Sequence, residues 1–284
     1  MPAPSTLPET AISADARVRF LQYLRDLWQY RDLFRALVER DVKVRYKQTA
    51  LGVAWVVIQP LFMAGAFSII FGRVVQMPSA GLPYSIFYLA ALIPWTCFSN
   101  GLAQAAGSME GSAGLISKVY FPRLIVPSAM VLGTVVDFSI GWVMFNALAI
   151  YRGFWTWWFI PFTPLLLALQ LGTAMGIGLV LAALNAQYRD IRYVTPFLIQ
   201  VGMLATPVIY PLERLLATRF TKLLGVFVYL NPMVGVIETY RALCFSASYV
   251  PWKLLAGNFA TAAVLFTFGV WFFRRREQKI VDLL

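Results

Sequence analysis

Residues 51–71 read LGVAWVVIQPLFMAGAFSIIF and contain no charged residue. An apolar run of about 20 residues is long enough to cross the roughly 30 Å hydrocarbon core of a bilayer as a helix. The whole chain of 284 residues is 60% hydrophobic and 13% charged, whereas about a quarter of the residues in a soluble domain are charged. The sequence therefore predicts an all-α membrane protein.

Further apolar runs follow the first, and together they predict six transmembrane helices. The runs are Leu51–Phe71, Tyr84–Ala106, Leu124–Ile150, Trp158–Leu184, Val194–Pro211 and Leu254–Phe273. Between the last two, residues 212–252 contain two apolar pieces that are too short to span. Because Asn231-Pro232 is a favourable helix start, this region predicts two short re-entrant or outer helices.

The N-terminal 50 residues are polar and divide into two parts. Residues 1–25, rich in Pro, Ser, Thr and Ala up to residue 16, predict a disordered cytoplasmic tail. Residues 26–50 place apolar side chains at helical spacing with basic side chains mostly beside that stripe, which predicts an amphipathic helix lying flat at the cytoplasmic interface. Such a helix could be a passive anchor, or it could touch a cytosolic partner. Residues 51–284 form the predicted transmembrane domain.

The basic residues predict the orientation of the spans. Of the 24 Lys and Arg residues, 17 lie in the N-terminal 50 residues, in loops 107–123 and 185–193, and after Phe273. Basic residues favour the cytoplasmic side of a membrane. We therefore expect a protein of the bacterial inner membrane with both termini on the cytoplasmic side. The net charge of +11 lies at membrane boundaries, which favours contact with membrane lipids over nucleic acid.

The residues that usually perform catalysis are scarce. The chain has no His and only two Cys, which excludes Ser-His-Asp and Cys-His mechanisms and His-ligated metal sites. It also has no G-x-x-x-x-G-K-[ST] phosphate loop. Asp137 is the one acidic residue deep inside a predicted span, where an acid is a functional candidate. It could bond to a neighbouring helix, or it could take part in gating.

Two predicted spans carry an unusual aromatic and amide stripe. The first span places Trp55, Gln59 and Phe62 on one face, and the fifth places Phe197, Gln200 and Leu204 on one face. Aromatic faces suit the C–H groups of sugar rings. These stripes could line a passage for glycans, or they could pack against other helices.

Several motifs resemble those of the membrane permeases of ABC-2 class polysaccharide exporters, which export O-antigen, teichoic acid or capsule. In chain order they are Arg40–Gln48 with Leu51-Gly52, Trp55 and Gln59-Pro60; Gly114–Arg123; Asn185 with Tyr188-Arg189-Asp190; Thr206–Pro211; and Leu230-Asn231-Pro232. The resemblance runs from about residue 30 to the C-terminus.

The resemblance implies a homodimer that docks on two copies of a separate P-loop ATPase, which would bind ATP and Mg²⁺, so no cofactor is expected in this chain. Loop 107–123 would form the segment that couples to the ATPase, with Glu110, Leu115, Ile116, Lys118 and Arg123 as its candidate contacts. The N-terminal amphipathic helix would also contact the ATPase. The first and fifth spans of both copies would line the channel, which matches the two stripes.

The implied cargo is a glycan on a polyprenyl diphosphate carrier. Arg45 and Lys47 could hold the diphosphate, or they could simply anchor the chain to lipid. The two short outer helices would be gate helices, with Asn231, Glu238 and Arg241 as gate residues. Glu238 and Arg241 are three residues apart and could pair as a desolvated lock or as a plain surface pair.

Three other functions remain open from the sequence. An ABC-2 exporter of a drug or small lipid would share the same fold. A membrane glycosyltransferase or phosphotransferase is disfavoured because no His and no clustered carboxylates are present. A proton-coupled carrier is disfavoured because Asp137 is solitary and no inverted repeat is visible.

Overall fold

The computed structural model describes residues 25, 28–47, 52–119, 121–188, 190–216 and 221–283, without the side chains of 221–224 and 278–283. All regular elements within these ranges are helices, as predicted. The predicted disordered tail at 1–25 lies outside the described residues except for Arg25.

Eleven α-helices can be numbered within the described ranges. They are α1 Arg31–Lys47, α2 Ala54–Phe67, α3 Tyr84–Gly111, α4 Ala113–Ile116, α5 Ile125–Tyr151, α6 Phe159–Asn185, α7 Ile191–Ala205, α8 Leu212–Leu216, α9 Thr221–Leu230, α10 Pro232–Leu243 and α11 Trp252–Leu283. A π-helical segment, Ser68–Val74, extends α2, and a 3₁₀ turn, Ala247–Tyr249, precedes α11.

Five helices are long and apolar enough to cross a membrane: Ala54–Val74, Tyr84–Gly111, Ile125–Tyr151, Phe159–Asn185 and Trp252–Glu277. They correspond to the first four predicted spans and the last. Helix α3 continues five residues beyond the predicted end at Ala106, to Gly111, since no Pro interrupts it there and Ser108 and Met109 are buried against the bundle. The first part of the predicted coupling loop is therefore helical.

Helix α7 differs from the predicted fifth span, Val194–Pro211. It covers 15 residues, Ile191–Ala205, or about 22 Å at 1.5 Å per residue. The helix ends because Pro207 forces the preceding residue out of the helical region, and Thr206 is indeed extended, with φ −91° and ψ 141°. The sequence placed the end of this helix six residues too late.

Contacts between loops define two ends of the bundle. At one end, the backbone N–H of Arg123 donates to Glu277 Oε1 at 2.9 Å, and Arg276 Nη1 donates to Gln187 Oε1 at 3.3 Å. At the other end, the hydroxyl of Tyr84 donates to the carbonyl of Ile209 at 2.6 Å. Helix α7 and the turn after it therefore carry the chain from the first end to the second.

The region after α7 contains three short helices, α8, α9 and α10, where the sequence predicted two. The predicted helix start at Asn231-Pro232 is confirmed. Asn231 is the extended N-cap residue of α10, and its side chain accepts a hydrogen bond from the backbone N–H of Met233 at 3.1 Å. Pro232 at the first helical position lacks the N–H that would otherwise need a partner.

The second half of helix α1 lies against α5. Asp41 lies against Gly133, and Arg45 pairs with Asp137. Arg45 and Asp137 are each four residues further along their helices than Asp41 and Gly133, so the second half of α1 and this part of α5 run in the same general direction. The flat orientation of this helix at the cytoplasmic interface stays a prediction.

Helices α3, α6 and α11 approach one another closely through small residues. A Cβ atom added at Gly178 would lie 2.6 Å from the Cβ of Ala105, where α6 meets α3. A Cβ added at Gly269 would overlap the backbone carbonyl of Gly176, where α11 meets α6. Small residues allow this kind of backbone approach between helices in a membrane.

We expect Gly269→Ala to destabilise the bundle by about 1–3 kcal/mol, the usual cost of overpacking, because α6 and α11 must separate to admit the methyl group. Thermal unfolding of the purified protein in detergent measures the effect. Gly172→Ala is the matched control, since an added Cβ there meets nothing within 4 Å. Equal Tm values for the two variants would contradict the close approach.

Candidate functional site

The two predicted channel stripes are exposed in the single chain. Trp55 and Phe62 on α2 are 53% and 73% exposed, and Phe197 and Leu204 on α7 are 63% and 62% exposed. Gln59 and Gln200 are exposed beside them. Helix α2 lies against α3 and α5, and α7 lies against α3 and α6. The structure leaves both stripes uncovered, which suits a lipid-facing surface or a passage completed by another copy.

A cavity of about 290 Å³ lies between α2 and the neighbouring helices α1, α3 and α5. Trp55 and Gln59 line it on α2, and Ile93 lines it on α3. Its charged lining residues are Arg45 of α1 and Asp137 of α5. We call this space the α2 cavity.

Asp137 and Arg45 belong to one polar group, the Arg45 cluster, which consists of Asp41, Arg45, Tyr46, Gln104 and Asp137. Arg45 Nη1 donates to Asp137 Oδ2, and Arg45 Nη2 donates to Asp41 Oδ2 at 2.5 Å and to Gln104 Oε1 at 2.8 Å. The hydroxyl of Tyr46 donates to the other carboxylate oxygen of Asp137. The cluster thus joins α1, α3 and α5.

The cluster bears on two predictions. Asp137 does bond to a neighbouring helix, which was one of its two expected roles. Arg45 was a candidate to hold the diphosphate, but its guanidinium is engaged by two carboxylates and an amide. Lys47, at the end of α1, is exposed. Burial, aided by the hydrogen bond to Asp137, raises the pKa of Tyr46 above its usual value, so its hydroxyl stays protonated and donates.

The predicted coupling loop contains exposed and buried positions. Glu110 and Lys118 are exposed, whereas Ile116 is buried and Leu115 is half-buried against the core. Val119 is 49% exposed. Residues that pack inward cannot also form a docking face, so the charged and apolar side chains on the surface of this segment are those of Glu110, Lys118 and Val119, beside exposed Gly and Ser positions. The backbone of Arg123 is tied to Glu277 at the end of α11.

The predicted gate residues lie at the opposite end of the bundle, and two of them form a buried pair. Arg241 Nη1 donates to Glu238 Oε1 at 2.9 Å, and the Arg241 side chain is only 5% exposed. Arg241 also donates to the carbonyls of Val208 at 2.9 Å and Phe87 at 3.3 Å, and its guanidinium lies 3.5 Å from the centre of the Phe87 ring. The structure therefore supports the desolvated pair over the surface pair.

The electrostatics of this pair follow from its burial. Removal from water raises the pKa of the Glu238 carboxyl, and the charge of Arg241 opposes that rise. Asn231, the third gate candidate, donates from Nδ2 to Thr206 Oγ1 at 2.9 Å. The start of α10 and the pair on it are thus both fastened to the turn that follows α7.

The residues that the structure describes contain no group of three or more His, Cys, Asp or Glu side chains that could hold a metal ion. Both cysteines, Cys97 and Cys244, are buried and free. The described residues therefore present two exposed stripes on α2 and α7, the segment 107–123 with its exposed and buried positions, and two hydrogen-bonded charged groups around Arg45 and Arg241.

A comparison with known protein families matches residues 32–245 to the membrane component described as ABC-2 type transporter. This match covers most of the chain. The chain belongs to the ABC-2 type transporter family.

Curated ABC-2 relatives align with nearly the whole chain. An O-antigen export system permease protein RfbA of Myxococcus xanthus is 26% identical over 262 residues, which is 92% of this chain and 99% of the relative. An RfbA of Klebsiella pneumoniae is 25% identical, over 89% of this chain and 95% of the relative. A polysialic acid transport protein KpsM of Escherichia coli is 23% identical, over 87% and 94%.

Some residues of this ABC-2 chain that matter in the structure were not singled out from the sequence. Gln104 and Glu277 gave no local signal, because their partners lie on other helices. Asp41 did give one, since it is four residues before Arg45 and such pairs lie on the same face of a helix. Val119 gave no clear signal, because it is one of several apolar residues in the stretch from Leu115 to Pro122.

We expect Arg241→Met to destabilise the protein by about 3–5 kcal/mol, because Glu238 is then left buried without its partner. Glu238→Gln should cost less, since Arg241 keeps its contacts with the carbonyls of Val208 and Phe87. Chemical unfolding in detergent measures both. Arg35→Met is the control: Arg35 and Asp32 have the same spacing, but their side chains are 72% and 78% exposed, so a change within about 0.5 kcal/mol is expected. A similar loss in all three variants would rule out the buried lock.

Proposed function

We propose that this chain is the membrane subunit of an ATP-driven exporter that moves a polyprenyl-diphosphate-linked polysaccharide, of the O-antigen kind, from the cytoplasm to the outer face of a bacterial inner membrane. The observation that carries the proposal is the alignment of nearly the whole chain with relatives named for O-antigen export and polysialic acid transport. The ABC-2 family match over residues 32–245 supports it independently.

The topology of this exporter has six crossings, with α7 as the fifth. Helix α7 alone is shorter than the bilayer core, but it and its following turn connect the two ends of the bundle, which supports a crossing. Both termini then face the cytoplasm, in agreement with the 17 basic residues predicted on that side. Helices α8 to α10 lie at the outer end and act as the gate.

The working unit is a homodimer. Most of α2 is uncovered in the single chain, and Ala64 is its one buried residue among those described. Helix α7 has only Thr195 buried. Two such faces from each of two copies can enclose a passage lined by Trp55, Gln59, Phe62, Phe197, Gln200 and Leu204. Their aromatic rings offer a sliding glycan weak, repeated contacts.

The energy comes from two copies of a separate P-loop ATPase, which bind ATP and Mg²⁺. The absence of a phosphate loop from this sequence agrees with that division. The ATPase docks on the segment 107–123 and on α1. ATP binding shifts the membrane subunits between two states only if the ATPase contacts those states differently, so the docking segment must be a rigid lever. The inward packing of Ile116 supports such rigidity.

The lipid diphosphate meets the chain at the C-terminal end of α1. Because Arg45 is engaged within the Arg45 cluster, the diphosphate contact falls to Lys47, which is exposed. A long, flexible side chain of this kind can extend its charge toward a phosphate. Reconstitution tests the whole proposal: vesicles that contain this chain and its ATPase should move a lipid-linked glycan to the opposite leaflet only when ATP is supplied. Equal transfer without ATP would overturn it.

We expect Trp55→Ala and Phe197→Ala to lower export several-fold while the amount of assembled dimer stays unchanged, because each removes a ring from the passage. Surface glycan in cells and dimer yield after purification are the two measurements. Phe266→Ala on α11 is the control, since Phe266 is 41% exposed outside both stripes. Normal export by both stripe variants would remove these residues from the passage.

We expect Val119→Asp to uncouple ATP hydrolysis from export, because it introduces a charge into an apolar contact with the ATPase. Lys118→Glu should act in the same direction. The measurement is the amount of glycan exported per ATP hydrolysed in vesicles. Arg152→Glu provides a matched charge reversal at an exposed position near the outer end. Unchanged coupling in both docking variants would mean that the docking segment lies elsewhere.

A further inference from the structure

The Arg45 cluster holds α1 against α5 at two positions, which are about one helical turn apart on each helix. Asp41 and Arg45 on α1 are four residues apart, as are Gly133 and Asp137 on α5. Gly133 allows the approach, because a Cβ there would lie 2.6 Å from Asp41 Oδ2. The two helices are therefore fitted to each other at both turns.

One guanidinium makes the main contacts of this junction. Its Nη1 faces α5 at Asp137, while its Nη2 faces Asp41 on α1 and Gln104 on α3. A planar fork can hold such divergent acceptors at once, whereas the ammonium group of Lys is a single point of charge. The shape of Arg45, and not only its charge, is thus required to join the three helices.

The depth of the cluster makes it costly to disturb. Asp137 is 12 residues after the start of α5 at Ile125, or about 18 Å along the helix. Charges at such depth are stable only when paired. The other ion pairs within α1, Asp32–Arg35 and Glu39–Lys43, are exposed and connect no second helix. Among the described ion pairs that involve α1, only the pair that Arg45 forms with Asp137 connects α1 to another helix.

The cluster also touches the space beside the proposed passage. Arg45, Tyr46 and Asp137 line the α2 cavity, whose other side is formed by Trp55 and Gln59 of α2. Helix α2 is held loosely, with Ala64 as its one buried residue in the described chain. A displacement of α1 therefore changes the cavity against which α2 rests.

We propose that Arg45 is a positioning residue for transport: it holds α1 to α5 and α3, so that a movement imposed on α1 by the ATPase reaches the passage helix α2 through the α2 cavity. The inference rests on the proposed function. It assigns to Arg45 a coupling role in place of the diphosphate contact expected from the sequence.

The charges of the cluster predict how variants differ. Asp41, Asp137 and Arg45 together carry one net negative charge. Arg45→Gln leaves two carboxylates close together without a cation and should impair assembly. Asp137→Asn leaves Asp41 and Arg45 as a neutral pair and should assemble normally. Arg45→Lys keeps the charge but cannot reach all three acceptors, so it should assemble normally yet couple poorly.

The experiment uses the complex of this chain with its ATPase in lipid vesicles. For Arg45→Lys and Asp137→Asn we expect normal assembly and ATP hydrolysis, with glycan export per ATP lowered roughly tenfold, within the range of measured coupling between sites. Gly133→Ala, which pushes Asp41 away, should act in the same direction. Arg152→Gln, which removes an exposed charge near the outer end, should export as the unmodified protein does.

Hydrogen–deuterium exchange provides a readout that needs no transport. Residues Arg31–Lys47 should exchange faster in Arg45→Lys and Asp137→Asn, while α3 stays protected. Faster exchange with unchanged export per ATP would overturn the coupling role and leave the proposed function intact. Unchanged exchange in both variants would overturn the fastening itself. If the unmodified complex does not export, the proposed function fails, whatever the exchange shows.

Discussion

A guanidinium has five N–H donors, and at bilayer depth the protein itself must supply their acceptors. Arg45 and Arg241 each find several such acceptors, at different depths of the bundle. Arg45 uses the side chains of Asp41, Asp137 and Gln104, whereas Arg241 uses Glu238 and the backbone carbonyls of Val208 and Phe87. Each arginine therefore dictates where the segments around it must lie.

Helices α2 and α7 lack such charged contacts. Their stripes are apolar or neutral, and the described structure ties neither stripe to the bundle by an ion pair. Their faces stay exposed because no other helix among the described residues covers them.

The sequence was sufficient to predict which segments are helices, and less able to predict their ends and partners. Long apolar runs identified the five long helices, and Asn231-Pro232 identified the start of α10, because both signals are local. Pro207 was also a local signal, and it could have placed the end of α7 correctly. The partners of Arg45 were beyond sequence reasoning, since Asp137 is 92 residues away and only tertiary packing brings it close.

The stripes illustrate the same limit. Trp55, Gln59 and Phe62 could be assigned to one face from helical spacing alone, but spacing cannot say whether that face is covered. The structure shows that neither face is covered within a single chain, because Phe62 and Phe197 remain largely exposed. Sequence alone also could not decide between a buried and an exposed Glu238–Arg241 pair, because burial depends on the turn after α7.

Helix α3 connects the two charged fastenings. It receives Arg45 at Gln104 and Arg241 at the carbonyl of Phe87. These positions are 17 residues apart, or about 26 Å along the helix. Helix α3 is also the most deeply buried of the five long helices, so it can resist forces applied at both ends. A buried helix that contacts α1 through Gln104 and α10 through Phe87 therefore links these two elements through one element of the core.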